Sequence, residues 1–327
     1  MTRQTKAWLA LSFSGVLCLA SMVLLLSLGD IRLSVWQVLG TLIGHGDFTA
    51  NFVVWQLRMP TVVAAVITGG ALAVSGLILQ VVTGNPLADS SILGINAGAS
   101  LGAVLLTAIG GGTALLPGAT LIGAAVSCGL VMLVNRQGDP IRVLLGGVAL
   151  TAMLNGVILM LEMQLNQFDF DKALVWLSGS FWNLGAGFLT INGVVLVILM
   201  GLTLVMIPTL SSLTLGAKMA VSIGVNVRLG QRCLLLLAVS LATVAVSVGG
   251  AISFVGLMIP NITKRIVGER VAIWLPMSWL LGSSLMLLSA VVANNAFGKV
   301  TLPVGLIVAV VTMPYFIYQL FGQKNSQ

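Results

Sequence analysis

Long apolar runs without charged residues make up most of this chain, and they have the length of membrane spans. A helix needs about 20 residues to cross roughly 30 Å of hydrocarbon. Runs that predict one span each lie at residues 7–29, 61–82, 143–161, 188–207, 234–254, 271–292 and 300–323.

Two further runs do not fit one full span each. The run 90–135 is too long for a single helix, and the glycines 110–112 together with Pro117 divide it into two. The run 252–263 is short and carries Pro260, which predicts a half-length segment. The total is ten spans, so the pattern predicts an all-α polytopic membrane protein.

The distribution of positive charge supports this count. Cytoplasmic segments of membrane proteins carry an excess of Lys and Arg. With the N-terminus in the cytoplasm, the 15 basic residues fall into an inner set (Arg3, Lys6, Arg136, Arg142, Lys218, Arg228, Arg232, Lys264, Arg265, Arg270 and Lys324) and an outer set (Arg32, Arg58, Lys172 and Lys299). A second span within 173–217 would move most of the inner set outside. This region is therefore assigned one span, and both termini are predicted to be cytoplasmic.

Composition supports the membrane class and excludes nucleic-acid binding. The chain has 327 residues, 58% hydrophobic and 7% charged, with a mean hydropathy of +1.11. One soluble core cannot bury so much apolar surface. The net charge of +7 comes from basic residues scattered between apolar runs, whereas a nucleic-acid site needs them clustered on one face.

Residues suited to catalysis are scarce. His45 is the only histidine and lies in a polar connection, where a solvated loop residue is the expected role. The sequence has no metal-ligand spacing of His, Cys or carboxylates and no GxxxxGK[ST] phosphate loop. We therefore expect no catalytic residue, metal site or cofactor in this chain, and any ATP hydrolysis must occur on another chain.

Two polar stretches interrupt the apolar pattern, at residues 85–100 and 222–232. Each introduces Gly, Asn, Pro or charge into sequence that is otherwise compatible with lipid. Such interruptions mark places where a membrane protein meets water, substrate or a partner. A third segment, 249–260, is also Gly-rich and ends in a proline, which fits a repeated architecture without establishing an inverted repeat.

Eight motifs run in order between about residues 52 and 320: RMP from Arg58, GGALAVSGLILQ from Gly69, NPLADSSILGINAGA from Asn85, LGGVAL from Leu145, WLSGS from Trp176, SIGVNV from Ser222, GGAISFVGLMIP from Gly249 and LPVG from Leu302. They resemble the motifs of bacterial type II ABC importer permeases of the ferric-siderophore, haem and vitamin B12 (FecCD-like) family. The resemblance implies one permease domain over residues 1–327, with ten helices, in the bacterial cytoplasmic membrane. It also implies a homodimer or a heterodimer with a related permease.

The same resemblance implies partners and cargo. Two ATPase subunits would bind ATP and Mg, and an extracytoplasmic substrate-binding protein would deliver an iron chelate. Ferric siderophore is the most frequent cargo of this family, with haem or cobalamin as the alternative. A secondary transporter would instead place carboxylates or His within spans, where only Glu162 lies near a span end. A non-transporting scaffold is the other alternative.

Two groups of site residues on the inner side follow from the resemblance. It places the ATPase contact in the loop 208–231, at Gly216, Ala217, Ala220, Ser222 and Gly224, where the alternative is an ordinary surface loop. It places the cytoplasmic gate near the stretch containing Asn85, Pro86, Gly94, Asn96 and Gly98. The alternative for that stretch is a seam of small residues at which helices pack closely.

The outer face departs from the family pattern. Relatives commonly carry arginines that pair with glutamates of the binding protein, and Arg58 remains with Lys299 as a compensating charge. Arg58 could instead be a snorkelling residue at a helix start. The remaining departures are Thr61 and Asn294 at expected arginines, Thr301 at a common glutamate and Asn261 at the usual histidine.

One sector of the fifth predicted span carries three methionines, Met153, Met160 and Met163. Methionine is an adaptable apolar side chain, so this sector could line a path for cargo. Packing in the core is the expected role for each of the three.

Overall fold

The computed structural model describes residues 3–112, 115–134, 140–181, 184–296 and 302–323. These residues form fifteen α-helices, a π-helical segment and a 3-10 turn, and no strand occurs among them. The α-helices are α1 (Arg3–Ser27), α2 (Val35–Leu42), α3 (Phe48–Asn51), α4 (Met59–Thr83), α5 (Ile95–Ala108), α6 (Leu116–Val134), α7 (Pro140–Glu162), α8 (Gln167–Leu177), α9 (Ala186–Val205), α10 (Ile207–Thr214), α11 (Ala217–Ser222), α12 (Val227–Gly249), α13 (Val255–Val267), α14 (Val271–Asn295) and α15 (Val304–Gln323).

The membrane helices lie where the apolar runs predict them. Six stretches are long and apolar enough to span a bilayer, within α1, α3–α4, α7, α9, α12 and α14. Shorter apolar helices in α5, α6 and α15 add three, and α13 is the short segment that contains Pro260. The region 173–217 holds one span, α9. The predicted all-helical polytopic fold is confirmed.

Helix α4 occupies the centre of the bundle. Its most apolar window is 89% buried, whereas those of α7 and α9 are 17% and 22% buried. Glycines bring α4 into backbone contact with its neighbours, because a Cβ on Gly69 would collide with the Gly282 backbone in α14. In the same way, a Cβ on Gly76 would collide with the Gly256 backbone in α13. Small residues of this kind permit close helix approach where lipid supplies no hydrophobic driving force.

The bundle has two distinct ends. At one end, which we call the α11 end, residues from the end of α4, the α10–α11 connection and the α13–α14 connection line one cavity. At the opposite end, which we call the α2 end, the chain from α1 to α4 forms α2 and α3. Ser34 caps α2 in a capping box with Gln37, and Asp47 caps α3. The hydrophobic pattern along the chain does not predict these two short helices.

Candidate functional site

The α4–α5 connection, residues 84–94, contains several of the predicted gate residues. Gly84 ends α4 in the left-handed conformation, with φ 64°, and Gly94 begins α5 with φ 76°. Asn85 Oδ1 accepts a hydrogen bond of 2.9 Å from the Leu87 amide, which shapes the turn around Pro86. Gly98 lies one turn into α5, where a Cβ would collide with Gly123 and Ser127 of α6. The stretch therefore includes a seam of close helix packing.

This connection and the first turn of α5 are hydrogen-bonded to the segment 252–261, around the break between α12 and α13. Asn96 Nδ2 lies 3.2 Å from the Ile252 carbonyl oxygen and 3.3 Å from Ser253 Oγ. At the α11 end, Asn261 Nδ2 donates to the Pro86 carbonyl at 2.8 Å. The structure thus joins two of the polar stretches that the sequence singles out. Asn261, which stands where relatives usually carry histidine, is one of the joining residues.

A buried carboxylate lies in the same place. Asp89 is 3% exposed, and a Cβ on Gly256 would collide with its Oδ1 atom, so the carboxylate covers the first turn of α13. Asp89 Oδ1 and Asn96 Oδ1 have no hydrogen-bond partner among the described residues. Asp89 lies in the motif that begins at Asn85, and no role is predicted for it from the sequence. A carboxylate within an apolar chain is a sequence signal that could have identified it.

The predicted ATPase contact lies on the α10–α12 connection at the α11 end. Gly216, Ala217, Ser222 and Gly224 are exposed, whereas Ala220 is fully buried in the core of the chain. A direct contact through the Ala220 side chain therefore conflicts with its packing in the isolated chain. Gly216 and Gly224 have φ 93° and 85°, which only glycine adopts readily.

Large apolar side chains surround these exposed positions. Each is more than half exposed, although the segment does not belong to a membrane span. They are Leu215, Met219, Val221 and Ile223. Exposed apolar side chains grouped on a connecting loop indicate contact with a partner protein or with the membrane.

A cavity of about 250 Å³ lies between the connections at the α11 end. Pro86 of the α4–α5 connection, Gly216 before α11 and Asn261 of α13 all line it. An ion pair of 2.6 Å between Lys264 and Glu269 closes one side. The residue that precedes α11 and the connection with the predicted gate residues therefore border the same cavity.

At the α2 end, Arg58 is bonded to the backbone of the chain itself. Its Nη1 atom donates to the Leu26 carbonyl at 2.6 Å, and Nη2 donates to the Ile31 carbonyl. Arg58 therefore satisfies the Leu26 carbonyl at the end of α1, where a helix leaves acceptors unpaired, and the Ile31 carbonyl in the α1–α2 connection. Lys299 and Thr301 lie outside the described residues. No structural result tests the docking role of Arg58 and Lys299, which stays a prediction.

Another basic residue of the outer set, Lys172, is paired within α8. Its Nζ atom lies 3.2 Å from Asp169 Oδ1. Hydrogen bonds from Lys172 and then from Asn166 hold the pKa of the Asp169 carboxyl below its ordinary value.

The methionine sector of α7 faces outward. Met153, Met160 and Met163 are 61%, 68% and 81% exposed. The expectation that they pack in the core is therefore wrong for the isolated chain. A periodic pattern shows that residues share a face of a helix, but not whether another helix of the same chain covers that face.

A model of the FecCD transport family matches residues 17–321. The chain belongs to the FecCD transport family. The family consists of transport permeases, and this FecCD permease is a multi-pass membrane protein. Among the described residues there is no group of three or more His, Cys, Asp or Glu side chains that could hold a metal ion.

Relatives match this FecCD permease over nearly its whole length. The iron(3+)-hydroxamate import system permease protein FhuG of Bacillus subtilis (strain 168) is 34% identical, with 98% of each chain covered. The achromobactin transport system permease protein CbrC of Dickeya dadantii (strain 3937) is 37% identical, with 96% of this chain and 91% of the relative covered. The Fe(3+)-citrate import system permease protein YfmE of Bacillus subtilis (strain 168) is 31% identical, with 99% and 98% covered.

Solved structures show the same fold. A chain described as a metal-chelate type ABC transporter in an inward-facing conformation superposes with a TM-score of 0.83 at 25% identity, covering 96% of this FecCD permease and 99% of that chain. PsaBC from Streptococcus pneumoniae in complex with Fab gives a TM-score of 0.58 at 16% identity, with 83% and 93% covered, which shows the fold alone. The resemblance read from the motifs is confirmed.

Proposed function

We propose that this FecCD permease forms the membrane pathway of an ATP-driven importer of ferric chelates, with ferric siderophores as the expected cargo. The observation that carries the proposal is the agreement among relatives that match almost end to end. Their names specify iron(3+)-hydroxamate, achromobactin and Fe(3+)-citrate import. The chain acts as one permease domain and contributes no group that hydrolyses ATP.

ATP hydrolysis occurs on two partner ATPase subunits, which bind ATP and Mg. The exposed apolar side chains around α11 support this part of the proposal. Apolar side chains of this size on a connecting loop are stabilised when a partner covers them. The exposed positions Gly216, Ala217, Ser222 and Gly224 lie within the same surface. Gly216 and Pro86 line the same cavity, so this surface lies next to the connection that holds the proposed gate residues.

The α11 end faces the cytoplasm, with both termini on that side of a bacterial cytoplasmic membrane. Lys218, Arg228, Lys264 and Arg265 lie in or beside connections at this end, as the positive-inside rule requires. The α2 end then faces the substrate-binding protein. Arg58 and Lys299 supply positive charge for docking there, and because both Nη atoms of Arg58 are bonded to carbonyls, Arg58 acts through its charge.

Two permease chains, identical or related, enclose the pathway. The exposed methionine sector of α7 supports this part of the proposal, because lipid or a second permease must cover it. Flexible methionine side chains suit a surface that contacts cargo of varied shape.

The function can be tested in a bacterial strain that lacks its own ferric-siderophore permease. The chain is expressed with its cognate ATPase and binding protein. Uptake of radioactive iron is measured from a ferric hydroxamate and from ferric citrate. Uptake of labelled cobalamin is measured in parallel. We expect iron uptake that disappears when the phosphate-loop lysine of the ATPase is replaced. Uptake of cobalamin alone would contradict the cargo, and iron uptake that survives the ATPase variant would contradict the energy source.

A further inference from the structure

Pro260 interrupts the hydrogen-bond ladder of α13. A proline has no N–H group, so it cannot donate to the carbonyl four residues earlier in a helix. In α13 that carbonyl belongs to Gly256, in the first turn. A buried carbonyl without a donor costs about as much as a lost hydrogen bond, so the Gly256 oxygen needs a donor from another element.

Helix α4 supplies that donor through Gln80. Gln80 Nε2 lies 3.1 Å from the Gly256 carbonyl oxygen and 3.1 Å from that of Leu257. Gln80 is buried, with 6% of its surface exposed. The Gly76–Gly256 contact brings the two backbones together one turn before Gln80, so a glutamine side chain is long enough to reach the unpaired oxygen.

The rest of α13 depends on the same part of the chain. Its N-cap residue, Phe254, has a left-handed φ of 69° and makes no side-chain capping bond. The buried side chain of Asp89 lies against that first turn, with its Oδ1 atom in the position that a Cβ on Gly256 would take. Further along α13, Asn261 donates to the Pro86 carbonyl. Both Asp89 and Pro86 belong to the α4–α5 connection.

We propose that Gln80 is a positioning residue: it replaces the amide that Pro260 lacks and thereby ties α13 to α4 and the α4–α5 connection. These elements then move as one unit when the permease changes conformation. Separating them would leave the buried Gly256 carbonyl without its donor. Pro260 makes the attachment necessary, because a residue with a backbone amide at that position would donate to the Gly256 carbonyl within α13.

The proposal predicts a specific rescue. Gln80→Met keeps the length of the side chain and removes its donor, so amides of α13 should exchange with deuterium roughly tenfold faster. Adding Pro260→Ala restores a backbone donor to the Gly256 carbonyl, and protection of α13 should return. The measurement is hydrogen–deuterium exchange by mass spectrometry on the full-length permease in lipid nanodiscs, for peptides covering Val255–Val267.

Ser75→Ala is the matched control. Ser75 also lies on α4 and donates a buried bond of 2.6 Å to the Ala238 carbonyl, but that carbonyl keeps its own helical donor in α12. We expect little change in α13 exchange for Ser75→Ala or for Pro260→Ala alone.

If Gln80→Met is too unstable to purify, the proposal requires that the double variant, Gln80→Met with Pro260→Ala, can be purified. The proposal is overturned if α13 in Gln80→Met exchanges like the wild type, or if Pro260→Ala fails to restore protection or yield. This readout does not depend on which cargo the permease carries.

Discussion

Single glycines set the distances between the central helices. Gly76 and Gly256 bring α4 and α13 into backbone contact, and Gly69 and Gly282 do the same for α4 and α14. Other helical glycines meet open space, as Gly201 does in α9. Some glycines therefore permit close helix contact, whereas others face open space. Replacing one glycine of each kind by alanine measures the difference.

We predict that Gly256→Ala destabilises the permease and that Gly201→Ala does not. At position 256 the added methyl group would collide with the Leu72 carbonyl, the Gly76 backbone and Asp89. Overpacking of this kind costs about 1–3 kcal/mol. At position 201 the methyl group meets no neighbour, and alanine is the better helix former by roughly 0.5–1 kcal/mol. Thermal unfolding of both variants in nanodiscs is the measurement, and equal midpoints would contradict the prediction.

Arg58 bonds the Leu26 and Ile31 carbonyls and, in the proposed function, also supplies positive charge for docking. The substitution Arg58→Lys can separate these two roles. Lysine keeps the charge but lacks the planar fork that reaches the Leu26 and Ile31 carbonyls together. We predict a loss of about 1 kcal/mol of stability, chiefly from the part-buried bond to the Leu26 carbonyl, with binding-protein affinity at low salt retained. Arg58→Gln should lose affinity as well, because rim charges mainly set association rate and salt dependence. Titration of the binding protein at low and high salt measures this, and a loss of affinity in Arg58→Lys equal to that in Arg58→Gln would argue against a docking role through charge.

At the scale of elements, the length of the uncharged apolar runs predicted the membrane helices, because the thickness of the bilayer sets how long a spanning helix must be. The short helix α13 was predicted from Pro260 and from the shortness of its apolar run. The helices α2 and α8 were not predicted, since eight and eleven residues with half-polar faces give no span signal. Of the site, sequence alone identified the polar stretches. It could not show that Asn96 and Asn261 join them, because that pairing depends on residues about 160–175 positions apart meeting in three dimensions.

The α11 surface yields a prediction at the same scale. Ile223→Asp should abolish copurification of the ATPase and leave the thermal unfolding midpoint of the permease unchanged, because the side chain is exposed in the isolated chain. A carboxylate buried at an apolar contact without a partner carries a large desolvation cost. Phe168→Asp, on the exposed face of α8 at the α2 end, is the control and should leave ATPase binding intact. Normal ATPase recovery with Ile223→Asp would place the contact elsewhere.

For the whole molecule, the exposed sector of α7 predicts which surface meets a second permease. In a chain whose free cysteines Cys18, Cys128 and Cys233 are replaced, Met160→Cys should form a disulfide or a short crosslink between two permease chains. Val197→Cys, on the equally exposed α9, should not. Gel migration under non-reducing conditions distinguishes the two. Crosslinking through α9 alone would assign the subunit contact to the other side of the bundle.

The bond between Arg58 and the Leu26 carbonyl has a consequence for how the chain is made. The two residues are 32 positions apart, so the end of the first membrane helix remains incomplete until the start of the second has been synthesised. Leu26 is buried in the folded chain, where a carbonyl without a donor is costly, and Arg58 supplies that donor. We therefore expect the first two membrane helices to leave the translocon as a hairpin, and a ribosome stalled before position 58 to hold a nascent chain whose first helix is still poorly anchored.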